Sequence, residues 1–172
     1  MSRLPWQVLV YPYRMKVDGT LEYALLRRAD GGWWQGVAGG GEDSELPSEA
    51  AKRESFEEIG APYDCPLLEL NTVTSVPISA YSNAKELNEL WGGNVYVIPQ
   101  YCFGLKMSNS EIVLSEEHTE YRWLSYEDAQ PMIHFHANMI AMWELHARLT
   151  GQGVTELGLH GLECMLPSKS DG

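Results

Sequence analysis

The sequence lacks several features that define common classes of protein. Only 12 of its 172 residues are Lys or Arg, against 24 Asp or Glu, and the formal net charge is −12. Nucleic acids and anionic membranes attract proteins through positive charge, so the composition argues against either as the main partner. No stretch approaches the roughly 18 apolar residues of a membrane span, and the N-terminal stretch has no signal-peptide pattern.

Cysteine is scarce as well. The three cysteines, Cys65, Cys102 and Cys164, are widely spaced and odd in number, without a CxxC pair. This usage predicts a reduced, soluble and cytoplasmic protein. The 6 Trp, 9 Tyr and 3 Phe exclude a disordered chain. We expect one domain over residues 1–151 and a C-terminal tail over 152–172.

Strand and helix patterns follow one another along the chain. Residues 6–14 and 22–28 predict a hairpin around Asp18 and Gly19, and 30–44 predict a glycine-rich loop. The helical pattern of 47–59 starts with Pro47 and stops at Gly60. Further strands are predicted at 67–78, 95–105 and 120–124, and helical spacing of apolar residues extends from about Tyr126 to Leu149.

The predicted helix at 47–59 carries a cluster of acids. Glu54, Glu57 and Glu58 are spaced i, i+3 and i+4, which places their carboxylates on one face. Phe56 and Ile59 lie about half a turn away, where they can anchor the helix on the core, so we expect the three acids to face away from it. Because like charges at this spacing repel, the acids form either a solvated surface or a site for a hard cation such as Mg²⁺ or Mn²⁺. On spacing alone, the solvated surface is the commoner arrangement.

The surrounding residues make the second possibility specific. From Gly39 to Ala61 the chain reads GGGEDSELPSEAAKRESFEEIGA. This resembles the signature of the Nudix hydrolases, G-x5-E-x7-R-E-U-x-E-E-x-G-U, where U is a bulky apolar residue. Every charged and glycine position matches. Ser55 and Ala61 depart from the pattern, because both are small residues at positions U.

The resemblance implies a fold and a chemistry. The expected fold is α+β, an α/β/α sandwich with a mixed β-sheet, and the expected activity is metal-dependent hydrolysis of a phosphoanhydride bond. The implied ligands of Mg²⁺ or Mn²⁺ are the carbonyl of Gly39 and the carboxylates of Glu54, Glu57 and Glu58. The implied structural residues of the motif are Glu45 and Arg53, which pair between loop and helix, and Gly60.

A second segment, LSEEHTEYRWL at 114–124, resembles the bacterial branch of dihydroneopterin triphosphate and dATP pyrophosphohydrolases. On that likeness Glu117 is a candidate for a further metal ligand or for the general base. A helix glutamate, Glu54 or Glu57, is the alternative base. A solvated acidic loop is the alternative interpretation of the segment itself.

The same branch is suggested by LLRRADGGWWQGVAGG at 25–40. Arg27 and Arg28 precede the glycine-rich segment, and a guanidinium matches phosphate oxygens well. Strand alternation points the two side chains to opposite faces, so we expect one of them to contact the polyphosphate and favour Arg28. Trp34 is expected either to stack on the ring of a substrate or to pack on the core.

The resemblance implies a small-molecule substrate, a nucleoside or pterin triphosphate that is cleaved to the monophosphate and pyrophosphate. Dinucleoside polyphosphates, ADP-ribose and nucleotide sugars are alternative substrates, and a module that binds a nucleotide without cleaving it is an alternative function. The sequence leaves the oligomeric state open.

Overall fold

The computed structural model describes residues 2–108 and 111–152; apart from Gln152, the predicted tail lies outside them, as does Cys164. The strands are β1 (Arg3–Met15), β2 (Leu21–Arg28), β3 (Trp34–Gln35), β4 (Val37–Glu42), β5 (Leu67–Pro77), β6 (Val97–Lys106) and β7 (His118–Leu124). The helices are α1 (Pro47–Ile59), α2 (Ala84–Leu90), α3 (Tyr126–Ala129) and α4 (His136–Thr150), with short 3-10 turns at Ile78–Ala80 and Gln130–Met132.

All seven strands belong to one mixed sheet. Its main path runs β3-β2-β1-β6-β5, with β4 also paired to β1 and β7 to β2. The pair β1–β6 is parallel, whereas the other pairs are antiparallel. The predicted hairpin of β1 and β2 is present. The mixed sheet between helices is the predicted α+β sandwich.

Alternation along the central strand divides the core into two layers. Val8 and Val10 of β1 pack with residues of α1, whereas Leu9 and Tyr11 pack with residues of α4. We call these sides of the sheet the α1 face and the α4 face. Within the described residues, no helix is both long and apolar enough to span a membrane.

Helix α1 has the bounds that the sequence predicts, because local signals set both of its ends. The backbone N–H of Leu46 donates to the Glu49 carboxylate at 2.7 Å, and Pro47 opens the first turn. Gly60 takes a left-handed conformation with φ of 68°. The N–H of Gly60 then donates to the Phe56 carbonyl at 2.9 Å, which is the αL type of helix ending.

The predicted glycine-rich loop at 30–44 is wrong in part, because strands β3 and β4 occupy much of it. Gly39 pairs with Val8 and Gly40 with Gln7 across β1 and β4. Glycine is a poor strand former on its own. Pairing with the buried strand β1 therefore overrides the local preference.

The continuous C-terminal helical pattern is also wrong. Helix α3 ends at Ala129, and α4 begins only at His136. Between them, Ile133 is extended and forms a β-bridge with Trp34, so the chain leaves the helical path to join the sheet. Two apolar residues of the predicted stripe, Ile140 and Trp143, are more than half exposed.

Candidate active site

The three acids of α1 occupy different environments. The side chain of Glu57 is 54% exposed, that of Glu54 is 13% exposed and that of Glu58 is 4% exposed. The expectation that all three face away from the core is therefore wrong for Glu58. Two carboxylates on adjacent turns of one helix are withdrawn from solvent.

The apolar side of α1 also differs from the expectation. Ile59 is buried, but Phe56 is half exposed and packs on Tyr63 with ring centroids 5.2 Å apart. Ser55, a departure from the signature, is buried instead and donates its hydroxyl to the Ala51 carbonyl at 2.7 Å. A small side chain with a satisfied hydroxyl lets the helix lie close to the sheet.

Gly39 provides the space that Glu54 occupies. A Cβ atom on Gly39 would lie 1.9 Å from the carboxyl carbon of Glu54. Such a distance is far inside van der Waals contact, so a side chain at position 39 would displace the carboxylate. The glycine of β4 is therefore required by the packing of a helix acid against the strand.

Arg53 connects the helix to the segment before it. Its Nε and Nη2 atoms donate to the two oxygens of Glu45 at 2.7 and 2.9 Å, and Nη2 also donates to the Gly40 carbonyl at 2.8 Å. The predicted pairing of Glu45 and Arg53 is present. The hydrogen bonds that Glu45 accepts from Arg53 hold the pKa of Glu45 below its usual value, whereas partial burial acts in the opposite direction.

The remaining nitrogen of Arg53, Nη1, donates to Glu54 at 2.8 Å and to Glu57 at 3.2 Å. Consequently Glu54 and Glu57 are turned towards this guanidinium. Within residues 2–108 and 111–152, no three His, Cys, Asp or Glu side chains converge as a set of metal ligands. The spacing predicted three carboxylates directed to one face of α1. The arginine that binds two of them alters this arrangement.

Burial makes the charged forms of two acids unfavourable. Desolvation raises the pKa of Glu54, although Arg53 acts against it. The pKa of Glu58 is raised well above its usual value, first by desolvation and then by the negative charges of Glu54 and Glu117. A positive charge placed between these groups would relieve both effects.

Arg28 and Glu117 lie beside this acidic region. Arg28 Nη1 donates to Glu117 at 2.6 Å, and Nη2 donates to Asp30 at 2.9 Å. The backbone N–H of Ala29 also donates to the Glu117 carbonyl at 2.8 Å. Ala24 and Leu26 of β2 belong to the core on the α1 face, and by alternation Arg28 shares that face.

Arg27 and Trp34 lie on the other side of the sheet. Arg27 follows Leu25, a core residue of the α4 face, and pairs with Trp34 across β2 and β3. Trp34 packs on the α4 core, and the Arg122 guanidinium lies 4.8 Å from its ring centroid. Arg28 therefore lies on the same face of the sheet as the acids of α1, whereas Arg27 and Trp34 do not.

His118 is a residue of the site that sequence reasoning missed. Its side chain is fully buried, with Nε2 3.5 Å from Oε2 of Glu58. Tyr121 and Trp123 pack on the α1 face, so regular alternation would place residue 118 opposite. Strand β7 has a bulge between the residues that pair with Arg27 and Arg28 of β2. The bulge reverses the alternation, so His118 lies on the α1 face. The only sequence signal is its place next to Glu117.

Comparison with known proteins identifies the family. The NUDIX domain model matches residues 6–143. A solved NUDIX hydrolase of Listeria monocytogenes is 37% identical, with a TM-score of 0.75, and the match covers 87% of this chain and 97% of that one. The chain belongs to the NUDIX domain family, and its fold and family place it among hydrolases of phosphoanhydride bonds.

Two further relatives have named substrates. The mouse bis(5'-nucleosyl)-tetraphosphatase (asymmetrical) is 29% identical over 130 residues, which are 75% of this chain and 81% of the mouse protein. The structure of E. coli dihydroneopterin triphosphate pyrophosphohydrolase is similar in fold, with a TM-score of 0.65 and 24% identity over 83% of this chain and 94% of that one. Members of the family generally use a divalent metal such as Mg²⁺.

Proposed function

We propose that the chain hydrolyses a nucleoside or pterin triphosphate to the monophosphate and pyrophosphate. The observation that carries this proposal is the burial of Glu54 and Glu58 on adjacent turns of α1. Burying carboxylates in this way is unfavourable unless positive charge is supplied. A substrate that arrives with divalent cations brings that charge, which a chain of net charge −12 otherwise lacks.

The residues present suit Mg²⁺ or Mn²⁺. Hard cations prefer oxygen ligands, and the carboxylates of Glu54, Glu57 and Glu58 with the carbonyl of Gly39 supply only oxygen. Oε2 of Glu58 is buried without a hydrogen-bond partner, so it has a free lone pair. When bound, the metal neutralises charge on phosphate oxygens and activates water. Glu117, whose negative charge acts on Glu58, is proposed as a further ligand.

The side chains of this face then have separate roles. Arg28 exchanges its ion pair with Glu117 for an oxygen of the polyphosphate. Glu117, whose side chain is 58% exposed, accepts a proton from the attacking water. The water oxygen forms a bond to phosphorus while the phosphoanhydride P–O bond breaks and pyrophosphate leaves. Glu54 and Glu57 would hold the cation that neutralises the phosphate charge, whereas Glu45, Arg53 and Gly60 hold the helix and strand in place.

Arg27 and Trp34 stay candidates for substrate binding at a different position. Because they lie on the α4 face, a contact with the substrate would be with a part remote from the reacting phosphates. The sequence relation to the mouse tetraphosphatase favours a second candidate substrate, a dinucleoside polyphosphate. Both candidates contain the same phosphoanhydride bond. ADP-ribose, nucleotide sugars and binding without cleavage are tested as alternatives.

The test is product analysis with Mg²⁺ or Mn²⁺ against deoxynucleoside triphosphates, dihydroneopterin triphosphate, diadenosine tetraphosphate, ADP-ribose and a nucleotide sugar. We expect monophosphate and pyrophosphate from a triphosphate, with ¹⁸O from labelled water in one product. Glu57→Gln should lower kcat at least about 100-fold, whereas the matched control Glu86→Gln on α2 should not change it. No turnover of any compound by the wild type, with a nucleotide bound tightly, would identify a binding module.

We also propose that residues 1–151 form a single domain and that the chain works in the cytoplasm. The pKa of the Cys65 thiol and that of the Cys102 thiol are raised by burial, so both thiols are kept protonated and unreactive. This is consistent with a reducing compartment. Size-exclusion chromatography of residues 1–151, compared with the full chain, tests the first proposal.

A further inference from the structure

The pair Glu58 and His118 contains most of the unsatisfied polar atoms in the described core. Four buried side-chain nitrogen and oxygen atoms of residues 2–108 and 111–152 have no hydrogen-bond partner. Three of them are Oε2 of Glu58 and both ring nitrogens of His118. A buried polar group without a hydrogen-bond partner destabilises the folded state. The concentration of three at one place is therefore a feature that needs a physical reason.

Backbone hydrogen bonds join the two elements that carry Glu58 and His118. The N–H of Ser115 donates to the carbonyl of Glu58 at 2.9 Å, and the N–H of Val113 donates to that of Ile59 at 3.0 Å. The segment that leads into β7 is thus bonded to the last turn of α1. His118 follows three residues later, so its ring reaches the Glu58 carboxylate from a backbone that α1 itself holds.

We propose that His118 is a positioning residue that donates its Nε2–H to Oε2 of Glu58 and fixes the direction of that carboxylate. This inference rests on the proposed function, in which Glu58 is a metal ligand. The two atoms are 3.5 Å apart, and a shift of about half an ångström brings them to ordinary hydrogen-bond distance. One such bond would satisfy two of the three unsatisfied atoms at once.

A neutral imidazole suits this role. A neutral ring carries one N–H and can donate without adding a positive charge that would compete with a cation. A carboxylate whose rotation is already restricted loses less freedom when it binds a metal.

The experiment measures Mn²⁺ binding to the full chain by calorimetry, without substrate. His118→Phe keeps a ring but removes both nitrogens, and we expect it to weaken Mn²⁺ binding about 10- to 100-fold. His118→Gln keeps an N–H donor and should restore affinity to within a few-fold of the wild type. His134→Phe, a matched change at an exposed histidine, should have no effect.

A double variant tests whether the effect acts through Glu58. In a Glu58→Gln background we expect His118→Phe to cause little further loss of Mn²⁺ affinity, since the acceptor carboxylate is gone. A folded His118→Phe variant that binds Mn²⁺ within twofold of the wild type would overturn the inference. So would an equal loss from His118→Phe with and without the Glu58 carboxylate.

A measurement on the wild type covers the case in which the variants do not fold. ¹⁵N NMR of the His118 ring should show the tautomer protonated at Nε2. A ring protonated at Nδ1 with a bare Nε2 overturns the inference. Failure of the proposed function is distinct: it is the absence of hydrolysis across the substrate panel while Mn²⁺ binding still depends on His118.

Discussion

Arg53 donates two hydrogen bonds, of 2.7 and 2.9 Å, to the two carboxylate oxygens of Glu45 across the turn that separates β4 from α1. The same guanidinium also donates a hydrogen bond to the Gly40 carbonyl at 2.8 Å. Both side chains of the pair are mostly buried, with 16% and 22% exposed. The planar guanidinium of Arg53 donates to β4, to the turn after it and to α1 at the same time. The single ammonium group of a lysine cannot replace it.

We therefore expect Arg53→Lys to lower the free energy of unfolding by about 2 kcal/mol, because two donors are lost from partly buried acceptors. Urea unfolding followed by tryptophan fluorescence measures the change. Arg148→Lys, at an exposed arginine of α4 that pairs with a glutamate through one carboxylate oxygen, is the control and should be nearly neutral. Equal effects of the two substitutions would show that the contacts of Arg53 do not hold the site together.

Gly39→Ala tests the close packing of β4 on α1. The new Cβ would meet the carboxyl carbon of Glu54 at 1.9 Å, so the side chain must move. We expect activity to fall at least about 10-fold and stability to fall by about 1–3 kcal/mol. In a Glu54→Ala background the same glycine substitution should cost much less stability, because the clash is gone. An equal cost in both backgrounds would contradict the prediction.

Neighbouring glutamates provide a matched test of the proposed base. Glu117 pairs with Arg28, whereas Glu116 is exposed and lacks a hydrogen bond or ion pair in the described part of the chain. Glu117→Gln should lower kcat about 100-fold or more with a smaller change in KM, since proton transfer contributes about 10²–10⁴-fold. Glu116→Gln should behave as the wild type. If Glu117→Gln keeps full kcat, the base is another group.

Local signals were sufficient for the parts of the fold that depend on neighbours in sequence. Pro47 and Gly60 fix both ends of α1, and the asymmetry of helix ends makes them readable from the sequence. The pairing of Arg53 with Glu45 was expected from the resemblance to the Nudix signature and not from local signals. By contrast, glycine-rich β4 is a strand only because β1 lies beside it, which no local pattern contains.

The position of His118, which the sequence did not predict, depends on one irregularity in strand β7. His118 reaches the α1 face because β7 carries a bulge at the level of Arg27 and Arg28. Period-2 alternation, the only rule available from sequence, gives the opposite face. The burial of Glu58 was missed similarly, because helix spacing gives the angle of a side chain and not what packs over it. The sequence therefore indicated the acids, but not their surroundings.

His146 should make stability depend on pH. The Tyr23 hydroxyl lies 2.8 Å from its Nδ1, and the ring stacks on Tyr126 with centroids 4.1 Å apart. Burial lowers the pKa of His146, with the negative charge of Glu127 opposing. The unfolded chain then binds a proton at higher pH than the folded chain does. The stabilising contribution is complete above the unfolded pKa of about 6.5 and is lost as the pH falls below it.

We expect His146→Gln to reduce the fall in Tm between pH 7 and pH 5, because this variant has no imidazole to protonate on unfolding. His136→Gln, at the exposed first residue of α4, is the control and should leave the slope unchanged. Thermal unfolding at several pH values checks both. A wild-type slope that His146→Gln does not change would show that the neutral ring makes no such contribution.

Divalent cations should stabilise the folded chain in the absence of substrate. A ligand that binds only the native state at about 100 times its Kd adds about 2.7 kcal/mol, which for a chain of this size is roughly 5–10 °C in Tm. We expect Mn²⁺ to produce a shift of this order in EDTA-treated protein, and Glu57→Gln to reduce it. Glu86→Gln should retain the full shift. Because Arg53 donates to both Glu54 and Glu57, an unchanged Tm with Mn²⁺ would mean that these ion pairs, rather than a cation, are the stable partners of the acids.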